Sequence, residues 1–105
     1  MEAKQISVAE KYKNKANEEF EYTLYRHTLS PEHNYWLYTV QVKHATWGFR
    51  AFGIYATKEA CPTQDLAEHL AKTLGIEAVK GRLEQASPQG FPMVFPSWFE
   101  GWWVL

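Results

Sequence analysis

The fold of this chain is decided by residues 35–43, YWLYTVQVK, in which apolar and polar side chains alternate. Side chains two residues apart in a strand point to the same side of a sheet. One side of this segment is therefore apolar and consists of Trp36, Tyr38, Val40 and Val42. The other side carries Thr39, Gln41 and Lys43, so the pattern predicts a strand with one face on a core.

Two further segments of similar character flank this strand. Phe20, Tyr22 and Leu24 alternate with polar residues before it, and residues 30–34, SPEHN, have the composition of a turn. Residues 47–57 are apolar on both sides, which is typical of a central strand or of a strand whose second face meets a helix or a partner. Residues 20–57 are therefore predicted to form an antiparallel sheet of at least three strands.

A helical region is predicted over residues 63–86. Thr63 is a residue type that favours the N-cap position. The apolar residues after it have helical spacing and are expected to face the core: Leu66, Ala67, Leu70, Ala71 and Leu74. Gly75 stands where a glycine often ends a helix. Residues 76–86 fit a second helix or a short strand, and the helix is preferred.

The N-terminal residues also carry a helix signal. Ser7-Val8-Ala9-Glu10 has the S-x-x-E form of a capping box. Tyr12 and Ala16 then fall on the same helical face as Val8. Residues 1–19 are accordingly predicted to form an N-terminal helical segment.

Residues 87–105 form an aromatic tail that contains three prolines, Pro88, Pro92 and Pro96. Prolines at this spacing do not continue a helix, so the segment is expected to run extended over a surface. Ser97-Trp98-Phe99-Glu100 repeats the S-x-x-E form and favours a short helix from Trp98. With 105 residues, the chain is expected to be a single α+β domain, with helices packed on one face of the sheet and this tail closing the structure.

The tail carries the principal binding hypothesis. A segment with so many aromatic residues is expected to pack on its own domain, on a second copy or on a partner. The proposed binding residues are Phe91, Phe95, Trp98, Phe99, Trp102 and Trp103. The alternative interpretation makes the same residues a lid over the domain's own core.

Composition restricts the classes of partner and location. The formal charge of −1 gives no basic excess for nucleic acid or an anionic membrane. Cys61 is the only cysteine, which excludes an internal disulfide and fits a reducing compartment. The N-terminus lacks the apolar stretch of a signal peptide, and no apolar run is long enough to span a bilayer. A cytoplasmic protein without a membrane partner is therefore expected.

No residue pattern predicts a catalytic, metal or cofactor site. Cys61 precedes a helix start, where a thiol can become nucleophilic, but no base can be placed beside it, so a small buried cysteine is expected. The histidines, His27, His33, His44 and His69, lack the spacing of metal ligands, although a hairpin could bring His27 near His33. An enzyme or a small-ligand pocket built from aromatic residues is the third hypothesis.

Single-stranded nucleic-acid binding is the second hypothesis. Aromatic side chains on a sheet can stack on bases while cations contact phosphates. The residues for such a face would be Tyr35, Lys43, Trp47, Phe49, Arg50 and Tyr55. Phe49 and Phe52, three residues apart, point to opposite faces of a strand, which weakens this pattern.

The first hypothesis is a small intracellular protein without catalytic activity that binds another macromolecule through an aromatic surface. Its role would be that of an adaptor, a subunit or an inhibitor, and a homodimer is one form it could take. Small chains without motifs are often carried by phages and mobile elements as inhibitors, an origin that no residue here demonstrates. Nucleic-acid contacts weaken steeply with salt and apolar contacts do not, so ionic strength separates the first two hypotheses.

Overall fold

A computed structural model describes residues 3–46 and 48–84, including the backbone of Phe49. Five strands form one antiparallel sheet: β1 (Ala3–Gln5), β2 (Glu10–Lys13), β3 (Glu19–His27), β4 (Tyr35–His44) and β5 (Gly48–Thr57). β4 pairs with β3 and with β5, while β1 and β2 both pair with β3. The predicted α+β class with an antiparallel sheet of at least three strands is confirmed; the aromatic tail, 87–105, lies outside the described residues.

One helical rod follows the sheet. It consists of α1 (Gln64–Leu70), a π-helical turn (Ala71–Gly75) and α2 (Ile76–Leu83), which succeed one another without a gap. The rod packs on the sheet face predicted to be apolar, and the shared core includes Leu24, Tyr38, Val40, Ile54, Val79 and Leu83. Period-two alternation thus identified the buried face of β3 and β4 correctly.

The predicted N-terminal helix is wrong, because Ala3–Gln5 and Glu10–Lys13 form the strands β1 and β2. Asn17 adopts a left-handed φ of 66°, and its N–H donates to the Asn14 carbonyl at 2.9 Å. That tight turn allows β2 to fold back on β3. Ser7 Oγ accepts from the Leu24 N–H of β3 at 3.1 Å. The hydroxyl therefore bonds to a strand and does not form a capping box. Pairing with β3 outweighs a local signal that is marginal for a short helix.

The edge formed by β1 and β2 is interrupted. Gln5 pairs with Tyr25 and Glu10 with Tyr22, so Ile6–Ala9 lie opposite only Thr23 and Leu24. Lys4, Lys11 and Lys13 lie along the same edge. Irregular pairing and lysines both hinder the addition of another strand to an edge.

The helix begins as predicted but does not end at Gly75. Thr63 Oγ1 accepts from the Leu66 N–H at 3.2 Å, which confirms the N-cap. Gly75 has the helical φ of −64°, and a Cβ built on it would lie 2.5 Å from Ile54 Cδ1. A larger residue here would displace the Ile54 methyl group, so glycine suits the close approach of the helix to β5. The preference for helix after Gly75 is confirmed by α2.

The helix buries only part of the side that was predicted: Ala67 and Ala71 are buried and Leu70 packs against the core, but Leu66 and Leu74 do not. Its buried residues are Ala67, Ala71, Gly75, Ile76, Val79 and Leu83, whereas Leu66 and Leu74 are exposed. Small residues let the rod lie close to the sheet. The π-helical turn is wider than an α-helical turn. It brings Ile76, Val79 and Leu83 into line with Ala67 and Ala71, so Leu66 and Leu74 stay outside.

Candidate interaction surfaces

The most apolar exposed feature of the helix is the stripe formed by Leu66, Leu70 and Leu74, here called the leucine stripe. Leu66 is 40% exposed and Leu74 53%, and Leu70 between them is half-buried against the core. Residues four apart form one ridge on a helix surface, and such ridges pack into the grooves of a second helix. The stripe is therefore an exposed apolar ridge on the helix surface.

The helix that carries this stripe is fixed to the sheet at both ends. Near its start, Arg26 Nη1 of β3 lies 3.2 Å from Glu68 Oε1, and Lys72 Nζ lies 3.3 Å from Glu68 Oε2. At its end, Asn14 Nδ2 donates to the Leu83 carbonyl at 3.0 Å. These contacts attach the helix that carries the leucine stripe to the rest of the fold.

A tyrosine and a carboxylate complete the attachment at the end of the helix. Tyr12 Oη donates to Glu84 Oε1, and the Lys15 N–H donates to Glu84 Oε2 at 3.0 Å. The hydrogen bond to Glu84 raises the pKa of Tyr12 to about 12. The same bond lowers the pKa of Glu84. Both shifts indicate a neutral phenol that donates to an ionised carboxylate.

The hydrogen bond between Tyr12 and Glu84 is predicted to stabilise the folded chain at neutral pH and to be lost in alkali. Because the pKa of Tyr12 is raised from 10.0 to about 12 in the folded chain, its contribution is complete below pH 10 and is lost as the pH rises towards 12. We expect Tyr12→Phe to be less stable than wild type at pH 8, and the difference to shrink between pH 10 and pH 12. Urea denaturation of both proteins across this range measures it. A difference that stays constant to pH 12 would contradict the assigned hydrogen bond.

A groove of about 600 Å³ lies between the interrupted edge and the helix. Ile6, Leu24 and Ile76 supply apolar lining, and Lys80 and Glu77 lie on its rim. Lys80 Nζ is 3.5 Å from Glu77 Oε1 and 5.6 Å from the ring centroids of both Tyr12 and Tyr22. Lys80 and Glu77 are thus already engaged with each other, and Lys80 also with aromatic rings.

A buried histidine and a carboxylate meet where β4 ends. His44 Nε2 lies 2.7 Å from Glu18 Oε2, and His44 Nδ1 accepts from the Thr46 N–H at 3.0 Å. The proton of the neutral ring is therefore on Nε2. Because both ring nitrogens are engaged, His44 is suited to closing the end of the sheet and not to accepting a substrate proton. Sequence reasoning missed this contact, which joins residues far apart in the chain.

Cys61, His27 and His33 also lie in contact with other residues of the fold. Cys61 is fully buried, which confirms its interpretation as a small core residue. His27 Nε2 contacts Thr39 Oγ1, whereas His33 Nδ1 lies 2.9 Å from Ser30 Oγ. Within residues 3–46 and 48–84, no group of three or more His, Cys, Asp or Glu side chains could hold a metal ion.

The residues proposed for nucleic-acid binding do not form one cluster. Tyr35 and Tyr55 meet edge to face on the sheet face opposite the helix, with ring centroids 5.3 Å apart. Lys43 shares that face but lies eight residues along β4 from Tyr35, about 27 Å at strand spacing. Arg50 pairs with Val42 and points to the helix side. The side chains of Trp47 and Phe49 lie outside the part of the chain that the structure describes.

Acidic and basic residues alternate where Lys43 lies. Lys43 pairs with Glu21 across the strands, and Lys11 is the neighbour of Glu21 on the other side. Lys11 Nζ is 4.0 Å from Glu19 Oε1. A backbone of phosphates would therefore meet carboxylates beside the ammonium groups here.

The tail residues proposed for binding, Phe91, Phe95, Trp98, Phe99, Trp102 and Trp103, lie outside the described residues. Their role as an interface therefore stays a prediction. Among residues 3–46 and 48–84, no helix combines the length and the apolar character required to cross a membrane.

Comparison of the chain with models of protein families, with curated proteins and with solved structures gives no match.

Proposed function

We propose that this protein acts by binding another protein, and that the leucine stripe is a principal contact surface. The observation that supports the proposal is the orientation of the helix, which buries alanines and a glycine and leaves Leu66 and Leu74 exposed. Exposed leucines at ridge spacing gain free energy when a partner covers them. Such binding suits an adaptor, a subunit or an inhibitor without catalytic activity.

The chemistry of the surface favours an apolar partner. The stripe contains no charged residue, and Glu68 and Lys72 beside it already pair with each other at 3.3 Å. A partner helix with its own ridge of aliphatic side chains would fit the stripe in the common ridge-into-groove arrangement. A nucleic acid would instead need unpaired cations, which this region does not offer.

The proposal predicts that the leucines matter for binding and not for folding. The double variant Leu66→Gln, Leu74→Gln is expected to melt within a few degrees of wild type, because both side chains are already exposed. Its affinity for the partner should fall by about tenfold or more, since hot-spot residues contribute on the order of 2 kcal/mol. His69→Gln, an exposed change on the same helix, is the matched control and should bind as wild type does.

The partner is identified with a photo-crosslinking residue at position 74 and, as a control, at position 77. Mass spectrometry of the adducts names the protein, and titration of the purified partner gives the affinity of each variant at two salt concentrations. Equal affinities for wild type and the double variant would overturn the proposal. Recovery of RNA or DNA with a steep salt dependence would favour the nucleic-acid alternative, and adducts between copies would identify a homodimer.

A further inference from the structure

A second cavity, of about 260 Å³, lies at the end of the sheet where β3 finishes and β4 begins. Its lining comes from the first residues of the loop 28–34, from Trp36 of β4, from Lys58 after β5 and from Gln64 at the start of α1. One water molecule takes up about 30 Å³ of the liquid. The cavity therefore has room for a small organic group and not only for single waters.

The charge of this cavity is positive. Among the described residues that line it are two cations, Arg26 and Lys58, and no carboxylate. Thr28 and Gln64 add neutral hydrogen-bonding groups. Glu32, the carboxylate of the loop, is exposed and is not part of the lining. A cavity with this lining favours an anion over a cation or a neutral molecule.

Lys58 is a half-buried cation whose contacts are with neutral groups. Its Nζ lies 4.7 Å from the centroid of the Trp36 ring and 3.4 Å from the Pro31 carbonyl oxygen, to which it donates. Within residues 3–46 and 48–84, no carboxylate forms an ion pair with it. Partial removal of an ammonium group from water costs free energy unless an opposite charge lies nearby. An anion in the cavity would supply that charge.

The position of Lys58 is set by contacts within the fold. Its N–H donates to the Asn34 carbonyl at 2.9 Å, so both its backbone and its side chain are joined to the loop 28–34. Trp36, on which the ammonium lies, donates from Nε1 to the Cys61 carbonyl at 2.8 Å. The cation and the ring are therefore in place before a ligand arrives, which reduces the entropy lost on binding.

Arg26 supplies the second cation from β3. Its Nη1 donates to Glu68 Oε1 at 3.2 Å, and Glu68 Oε2 lies 3.3 Å from Lys72 Nζ. A guanidinium group carries five N–H donors, and the bond to Glu68 engages one nitrogen. Glu68 thus orients Arg26 while its own charge is shared with Lys72. The remaining donors of Arg26 can bind an oxyanion.

We propose that this cavity binds a phosphate monoester, with Arg26 and Lys58 as its two cationic contacts. Such a group carries about −1.5 to −2 charges at neutral pH and three acceptor oxygens, which match two cations and the neutral donors beside them. A carboxylate has one charge and two oxygens, and it would leave one cation unmatched. Leu29 and Tyr35, which also line the cavity, contact the organic part of the ligand. The inference is independent of whether the leucine stripe binds a partner.

Titration of the full-length protein with O-phosphoserine, followed by NMR, tests the proposal. We expect saturable shifts of the amides of Thr28, Leu29 and Lys58 and of the Trp36 indole N–H. Lys58→Gln should weaken binding by about tenfold or more, because it removes a hydrogen bond between charged groups. Lys58→Arg keeps the charge and should still bind. Lys13→Gln makes the same change of net charge at an exposed position of β2 and should leave the affinity unchanged.

Thermal melting of each variant shows whether it is folded, and Arg26→Lys gives a second, independent measurement. This variant keeps the charge beside Glu68 but loses the planar pair of N–H donors, so it should also weaken binding. Equal affinity of wild type and Lys58→Gln, or shifts that rise without saturation at lysines over the whole surface, would overturn the proposal. Equal binding of succinate and O-phosphoserine would overturn the assignment to phosphate.

A peptide with phosphoserine at its centre identifies the source of the phosphate group. An affinity no higher than that of the free amino acid would support a small phosphorylated molecule as the ligand. Clearly tighter binding of the peptide would support a phosphorylated protein as the source of the same group. The unphosphorylated peptide is the control and should not bind, and binding of both peptides with equal affinity would contradict the proposal.

Discussion

Replacing Leu83 with alanine is expected to lower the free energy of unfolding by about 2–5 kcal/mol, the usual cost of emptying a buried leucine site. Leu83 is 1% exposed and belongs to the cluster that joins α2 to the sheet. The same substitution at Leu74, which is 53% exposed, should cost no more than about 0.5 kcal/mol. The two variants remove the same atoms from the same helical rod, so their difference measures burial alone.

Urea denaturation of wild type, Leu83→Ala and Leu74→Ala gives the two losses directly. The slope of unfolding free energy against urea should be the same in all three proteins, which shows that the denatured states are comparable. Losses of equal size would mean that the helix is rotated about its axis from the orientation described. A larger loss at Leu74 would restore the leucine stripe to the core and remove the support for the proposed binding function.

The strands and the helix start could be predicted because their signals are local. Alternation in residues 20–27 and 35–43 depends only on which side of the backbone each side chain takes. The N-cap at Thr63 likewise depends on a side chain and an amide three residues away. Both features can be predicted from the sequence, and the folded chain retains them.

The helix face could not be chosen by hydrophobicity alone. A stripe of leucines and a stripe of small residues, Ala67, Ala71 and Gly75, lie side by side on the same helix. Hydrophobic spacing favours the leucines, but the close approach of Gly75 to Ile54 favours the small residues. Which stripe is buried follows from the distance between helix and sheet, a property of the assembled fold.

The side of the sheet on which Arg50 lies could be predicted from the sequence, whereas the N-terminal strands could not. Arg50 is two residues from Phe52, so strand alternation alone places it on the helix side and separates it from Tyr35 and Tyr55. The N-terminal strands were not readable, because Ser7 and Asn14 find partners in β3 and at the end of α2. The S-x-x-E pattern at Ser7–Glu10 favours a helix locally, but contacts with residues distant in sequence stabilise strands instead.

Asn14 should be the most sensitive polar position in the described fold. It is only 6% exposed, its Nδ2 donates to the Leu83 carbonyl at 3.0 Å, and its Oδ1 accepts from the Glu18 N–H at 2.9 Å. Asn14→Ala leaves both backbone groups without these partners, at about 1–3 kcal/mol for each group that stays buried. The total loss should approach that of Leu83→Ala.

The comparison with Asn17 separates this bond network from the turn itself. Asn17→Gly changes the same hairpin at its left-handed residue, where glycine is readily accommodated, and should alter the unfolding free energy by less than about 1 kcal/mol. Chemical denaturation measures both variants, and amide exchange shows where stability is lost. Because Asn14 joins the β2–β3 hairpin to the end of α2, its loss should speed exchange in both elements together. A loss confined to the hairpin would show that the bond to Leu83 contributes little, and that the N-terminal strands and the helix are held together by the apolar core alone.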